Sequence, residues 1–392
     1  MGVHRDGALH TPKQTKPLKH ILVFIDWYEP AFRAGGPVRS MVNLIARLKG
    51  RYRFSVATSA FEYGSSEPMP GIVSDQWVSG KQNERICYGT RGGLRSAIKH
   101  IRSENPDLIY LQGIFSLHYS LLPLLAAQIC RKQVVLAPRG MLHPTALQFK
   151  GARKRLFLRL AWNFGLFRKV RFQAVDNFEA DYIKAVFPRA SIFRATNMAA
   201  LPQNLPALER VEGSVLKLVS VARISPEKNN LFILELLKKL DIPVDVVFYG
   251  APGNDERYVA AFREALNELP EQVHAQWEGF LDPEQLQPEL RKAHWFIMPT
   301  LGENFGHAIF EALAAGLPVL IGNNTPWKNL ASLEAGQDLD VSQTQAWLDA
   351  LQIAYRMNSD QYRNMSHAAM ELAKSQAASD SAFAQYEKLF GA

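Results

Sequence analysis

TLGENFGHAIFEALAAGLPVLIG, residues 300–322, reads as the end of a strand, a turn flanked by Gly302 and Gly306, a helix beginning near Phe305, and a further strand, LPVLIG. Such an order is the repeating unit of a parallel sheet with helices on its faces. The segment is mostly apolar, yet it carries Glu303 and Glu311, eight positions apart. Neither has a Lys or Arg within a helical turn, and a buried unpaired carboxylate is expensive. Groups outside the segment are therefore expected to meet those oxygens.

The same alternation runs outward in both directions. HILVFIDWY, RFSVATS, DLIYLQG and QVVLAPRG are strand-like, and GGPVRSMVNLIARLKG opens on glycines and continues with helical spacing. This pattern runs to about Met198. Residues 197–214, NMAALPQNLPALERVEGS, are rich in Pro and Asn and form the linker candidate. The pattern restarts with LKLVSVARI, NNLFILELLKKL, VDVVFYG, AQWEGF, PEQLQPELRKA and WFIMPT before reaching the opening stretch. The expected architecture is α/β, with two doubly wound, Rossmann-like domains facing a central crevice. Residues 1–18 read as a loose polar tail, 19–200 as the first domain, 201–214 as the linker and 215–392 as the second domain. The final helix is able to pack back on the first domain. Ligands of such sheets bind outside the carboxyl ends of the strands.

Bulk properties narrow the function. The chain of 392 residues is 47% hydrophobic and 21% charged, a globular composition. Two cysteines, Cys87 and Cys130, give neither a disulfide framework nor zinc spacing and suit a reducing compartment. The N-terminus has no apolar core of a secretory signal, and Asp6 stands where myristoylation needs Ser or Thr. The uncharged stretch at residues 108–130 contains Gln112, Gly113, His118, Pro123 and Gln128, so a buried strand and helix fit it better than a membrane span. The net charge is +8, and residues 108–175 hold no acidic side chain at all. Within that interval lie Lys150, Arg153, Lys154, Arg155, Arg159, Arg168, Lys169 and Arg171, with Leu156, Phe157, Leu160, Ala161 and Phe164 at helical spacing among them. A basic face beside an apolar one suits an anionic bilayer interface, and equally a helix covering its own domain. No nucleic-acid motif accompanies it.

Three places carry candidate chemistry. Eight residues of helix rise about 12 Å, comparable to the reach from a hexose across a diphosphate to a ribose. Glu303 and Glu311 could thus accept hydroxyl hydrogen bonds at its two ends, with anionic groups at the amides between them. In SVARISPEKNNL, Arg223 and Lys228 fall between a strand and a helix, where two cations can neutralise a diphosphate. In RAGGPVRS, Gly35 and Gly36 allow a backbone to approach a ligand closely. Taken singly, these are also the material of solvated loops and ordinary turns. Asp338 to Asp340, DLD, resembles a metal-binding pair but follows a helix far from the crevice signals and reads as a surface turn.

Together these motifs resemble a retaining, nucleotide-sugar-dependent glycosyltransferase of family 4 with the GT-B fold, in the branch that builds bacterial surface polysaccharides such as lipopolysaccharide. The resemblance rests on ENFGHAIFE followed by ALAAGLPVL, on VARISPEKN, on the GG loop, on APRGML at residues 137–142, and on TPWKNL and AGQDLD. It implies a hexosyltransferase that moves a sugar from a nucleoside-diphosphate sugar to a lipid-linked saccharide with retention, without a metal or other cofactor. Glu303 would touch the donor sugar and Glu311 the ribose hydroxyls. Arg223 and Lys228 would stabilise the leaving diphosphate, and the amides of Asn304, Phe305 and Gly306 would cradle sugar and phosphate. Gly279, Phe280 and Leu281 would border the base, and Gly35 and Gly36 would face the diphosphate. The sequence departs from the pattern at Gln112-Gly113, where relatives have His-Gly, and at Arg139, near the usual place of a catalytic-region histidine. Arg139 is carried as a catalytic candidate, with His118 and His143 as alternatives. The expected location is the cytoplasm, peripheral on the inner membrane. A nucleotide-sugar epimerase of the same fold and a basic nucleic-acid-binding protein are the competing readings.

Overall fold

The computed structural model describes residues 17–90, 92–144, 147, 151–199, 201, 205–377 and 380–391. Most of the tail, Lys150 and residues 202–204 of the proposed linker lie outside them. The first strand, β1 (Lys19–Phe24), is buried along nearly its whole length. Its apolar run from Ile21 to Phe24 reflects a parallel strand covered on both faces. It pairs in parallel with β2 (Tyr52–Ser59) and β5 (Leu108–Gln112). With β3 (Trp77–Ser79), β4 (Arg85–Gly89), β6 (Gln133–Ala137), β7 (Val170–Ala174) and β8 (Ser191–Arg194) they form one eight-stranded sheet, ordered β3-β4-β2-β1-β5-β6-β7-β8. Only the β3–β4 pair is antiparallel. The second sheet is parallel throughout, ordered β11-β10-β9-β12-β13-β14. Its strands are β9 (Leu216–Val221), β10 (Val244–Tyr249), β11 (Val273–Gly279), β12 (Trp295–Met298), β13 (Val319–Gly322) and β14 (Gly336–Leu339).

Helices cover both faces of both sheets. In the first domain they are α1 (Gly36–Leu48), α2 (Leu94–Glu104), α3 (Leu122–Ile129), α4 (Gly151–Asn163) and α5 (Asn177–Val186). In the second they are α6 (Asn230–Leu237), α7 (Glu256–Leu266), α8 (Pro283–Leu290), α9 (His307–Ala314), α10 (Thr344–Arg356) and α11 (Ser359–Ala377). The last helix, α12 (Asp380–Phe390), crosses back. Ala382, Tyr386, Leu389 and Phe390 enter the core that holds Ile21, Val23 and Tyr52. Lys19 Nζ donates to the carbonyls of Phe390 and Gly391 at 2.6 Å, closing the end of α12 onto β1. The chain therefore crosses between the domains twice.

Several expectations need correction. The stretch at residues 197–214 is packed against both domains at several of its described residues. Met198 packs into the first core and Ala199 into the second. Arg210 is buried against the second domain, donating to the carbonyls of Ala354 and Met357 at a helix end. The DLD motif is not a turn after a helix. Asp338 lies in edge strand β14 and accepts from the Leu330 amide, while Asp340 accepts from Ser342, so both carboxylates serve local structure. The basic helix also divides differently. Leu158 and Ala161 are buried, whereas Leu156, Leu160 and Phe164, one helical turn apart, form an exposed stripe; Phe164 is 85% exposed. Arg153, Arg155 and Arg159 flank that stripe in solvent. Lys154 instead stacks on the Phe115 ring, and Arg171 belongs to β7 and stacks on Phe193.

Candidate active site

The two sheets present their carboxyl edges to each other, and the candidate residues come from the loops there and from helices α1 and α9, apart from Gly279, the last residue of β11. On the second domain the turn after β12 is built by backbone bonds. Leu301 N donates to Glu227 O, and Glu303 N to Asn324 O. Trp327 of the TPWKNL stretch donates its indole N–H to Phe305 O at 2.6 Å and packs against Phe305 and Phe310. Gly306 is the reason the turn closes: its φ is +77°, a region L residues avoid, and a β-carbon there would meet Ile309 at 2.9 Å. Helix α9 begins at His307 rather than near Phe305, with no side-chain cap on its first amides. Those amides point into the crevice region and favour an anion.

The two carboxylates are met from outside their segment. Lys228 donates to Glu303 Oε1, with the two side chains 20% and 15% exposed. Arg39, from the first turn of α1 in the opposite domain, donates to Glu311 Oε2. Burial raises the Glu311 carboxyl above its ordinary range, and Arg39 works against that rise. Beside this pair, Ser40 Oγ meets His307 Nε2 at 2.5 Å, and a β-carbon at Gly36 would lie 3.5 Å from the same imidazole. The starts of α1 and α9 thus abut. His307 is pushed down to about 3, first by burial and then by Arg39 and Arg139. It is a neutral imidazole in a positive field.

Other cross-crevice contacts surround this centre. Arg223 lies over the Tyr63 ring, 5.6 Å from its centroid, and Nη1 donates to the Tyr63 hydroxyl at 3.3 Å. Tyr63 in turn packs edge-on to Trp27, so loops after β1 and β2 wall the crevice with aromatics. Phe280 lies under the Arg33 guanidinium. Gly140 sits beside Asn304, and Gly302 beside His143.

Arg139, the catalytic candidate of the first domain, is held by neighbours of its own domain. In a left-handed conformation (φ +56°), its guanidinium is tied to Gln112 Oε1 at 2.7 Å, to Asn197 Oδ1 and to the Tyr110 hydroxyl. It is a strut beneath the loop, and Gln112 is its partner. His143 faces Gly302 across the crevice, edge-on to Tyr182, and burial lowers its basicity. His118 lines a small separate cavity with Cys87 and His100. Arg39, Ser40, His307, Trp27 and Tyr63 were not singled out from the sequence. The first two lie inside GGPVRS, beside the glycines whose spacing marks that loop. Among the described residues, no group of three His, Cys, Asp or Glu is placed to hold a metal ion.

Comparison with known proteins agrees with the two-domain fold. Residues 209–371, the second domain, match the family model of glycosyl transferases group 1. A glycosyltransferase structure from Rickettsia africae superposes over 96% of this chain and 98% of its own, with a TM-score of 0.69 and 13% identity. Sucrose-phosphate synthase from Thermosynechococcus elongatus gives 0.70 at 14% identity over 95% and 98%. Anabaena HepE in complex with UDP-glucose gives 0.68 at 15% identity over 94% and 98%. The fold is GT-B. No curated protein matches the chain by sequence.

Proposed function

We propose that the protein is a retaining hexosyltransferase that takes its sugar from a nucleoside-diphosphate sugar held in the crevice. The observation that carries this reading is the placement of Glu303 and Glu311 at the two ends of the turn and first part of α9, each facing a cation at the mouth between the domains. The match of the second domain to the glycosyl transferases group 1 family supports it. So does the UDP-glucose bound by HepE, a protein of the same fold.

In this reading Glu311 accepts from the ribose hydroxyls and Glu303 from hydroxyls of the sugar. Arg223 and Lys228 neutralise the charge that grows on the departing diphosphate, which is stabilisation aimed at the transition state. The abutting helix starts leave that region positive and need an anion between them. Gly279, Phe280 and Leu281 lie on the side where a base would rest, with Arg33 above Phe280. The acceptor enters from the first domain, past Trp27 and Tyr63. Arg139 positions the loop that carries Gly140 and His143 and does not touch the reacting atoms.

The acceptor in this proposal is a lipid-linked saccharide at the inner face of a membrane, in surface-polysaccharide synthesis. The stripe of Leu156, Leu160 and Phe164, flanked by Arg153, Arg155 and Arg159, supports peripheral contact with an anionic bilayer. Among the described residues no helix is long and apolar enough to cross a membrane. The test is transfer from a panel of nucleotide sugars in excess EDTA, with the product's anomeric configuration read by NMR. Transfer with the donor's configuration is expected. A strict divalent-cation requirement or an inverted product would refute the mechanism.

A further inference from the structure

Glu311 has two claimants. A ribose presents neighbouring hydroxyls, and a pair of such donors fits the two oxygens of one carboxylate. In the structure Glu311 Oε2 already accepts from Arg39, across the crevice and 272 positions away in sequence. The pair is largely out of water, with Arg39 and Glu311 17% and 19% exposed. A charge-assisted bond in such a place is not given up without a replacement. Arg39 stands one turn inside α1, whose start, at Gly35 and Gly36, abuts the start of α9. A guanidinium released from Glu311 would therefore remain within the same positive mouth, where a diphosphate would lie. Arg is suited to that second partner as well, because its fork matches phosphate as it matches carboxylate.

We propose that Arg39 is an exchangeable latch: it holds Glu311, and with it the two domains, until a ribose takes the carboxylate, and it then passes to the diphosphate. The idea rests on the nucleotide-sugar reading above and adds a residue and an order of events to it. The nucleotide must break one interdomain bond to form its own. A nucleoside, lacking phosphates, breaks the latch and receives nothing back. A nucleoside diphosphate breaks it and regains the guanidinium.

This predicts different responses from two ligands of one site. Titrate the full chain and its Arg39→Ala and Arg39→Lys variants calorimetrically with uridine, guanosine and adenosine, and with UDP, GDP and ADP. In Arg39→Ala the matching nucleoside should bind about tenfold more tightly, the worth of one charge-assisted bond that no longer has to be broken. Its diphosphate should change little, because the variant removes the cost of the latch and the gain of the guanidinium together. Arg39→Lys should fall between, since Lys keeps the charge without the fork. In small-angle scattering without nucleotide, Arg39→Ala should be more expanded than the wild type. Equal weakening of nucleoside and diphosphate overturns the exchange, as does no change in either. A wild type that binds none of the three diphosphates overturns the donor reading itself and the exchange with it.

Discussion

Replacing Lys228 by Met separates two roles that the structure gives one contact. Lys228 and Glu303 are paired with little exposure, 20% and 15%. A carboxylate left there without its partner should destabilise the second domain by about 1–3 kcal/mol. For a domain of this size each kcal/mol lowers the melting temperature by about 2–4 °C. Glu303→Gln should be milder, because the lysine's flexible stem can carry its ammonium toward solvent. The double variant Lys228→Met/Glu303→Gln leaves no stray charge and should melt near the wild type. Turnover should follow another rule. Each single variant should lose about 10²–10³ in rate, as expected when one preorganised charge contact is removed. The double should lose about as much as the worse single, since groups acting as a unit are not additive. Thermal unfolding and single-turnover transfer on the same four proteins give both cycles. A double variant that melts at the sum of the two singles would show that the pair is uncoupled. Near-normal turnover in Lys228→Met would remove it from the mechanism.

Three further outcomes are expected. The wild type should co-sediment with anionic liposomes at low salt and release at high salt. Changing Arg153, Arg155 and Arg159 to Ser should abolish this at roughly 1 kcal/mol per residue and spare nucleotide binding; indifference of the wild type to liposomes refutes the contact. His307 stays neutral down to about 3 in the folded protein, while the unfolded chain takes up a proton below about 6.5. The unfolded state then binds more protons across that window, so stability falls as pH falls. His307→Gln should flatten the acid limb of the unfolding free energy, measured by urea titration, by about 1.4 kcal/mol per pH unit, and an unchanged slope counts against the burial argument. Gly306→Ala should destabilise by about 1–2 kcal/mol through its left-handed backbone, and an unaltered melting temperature refutes the strain.

What the sequence reveals here is what lies within one element or between adjacent ones. The unbroken apolar runs of β1 and β12 mark strands covered on both faces, and two carboxylates eight apart in an apolar segment mark a site. The partners of those carboxylates were hidden for a geometric reason. Lys228 is 75 positions from Glu303 and Arg39 is 272 from Glu311, and no local spacing encodes either meeting. The basic helix shows the complementary limit. Its apolar residues could be counted, but only packing shows that Leu158 and Ala161 turn inward while Phe164 remains in solvent. Arg139 is a candidate because it stands near the usual place of a family histidine; Gln112 and Asn197, to which it donates, come from two other segments.

The most direct measurement is a thermal-shift panel of UDP-, GDP- and ADP-sugars in excess EDTA, run on the wild type and on Glu311→Ala. One nucleotide class should stabilise the wild type by about 2.7 kcal/mol at a hundred times its Kd, and Glu311→Ala should need a far higher concentration for the same shift. A wild type that no nucleotide sugar stabilises, or a Glu311→Ala variant that responds as the wild type does, would contradict the placement of a donor between Glu303 and Glu311.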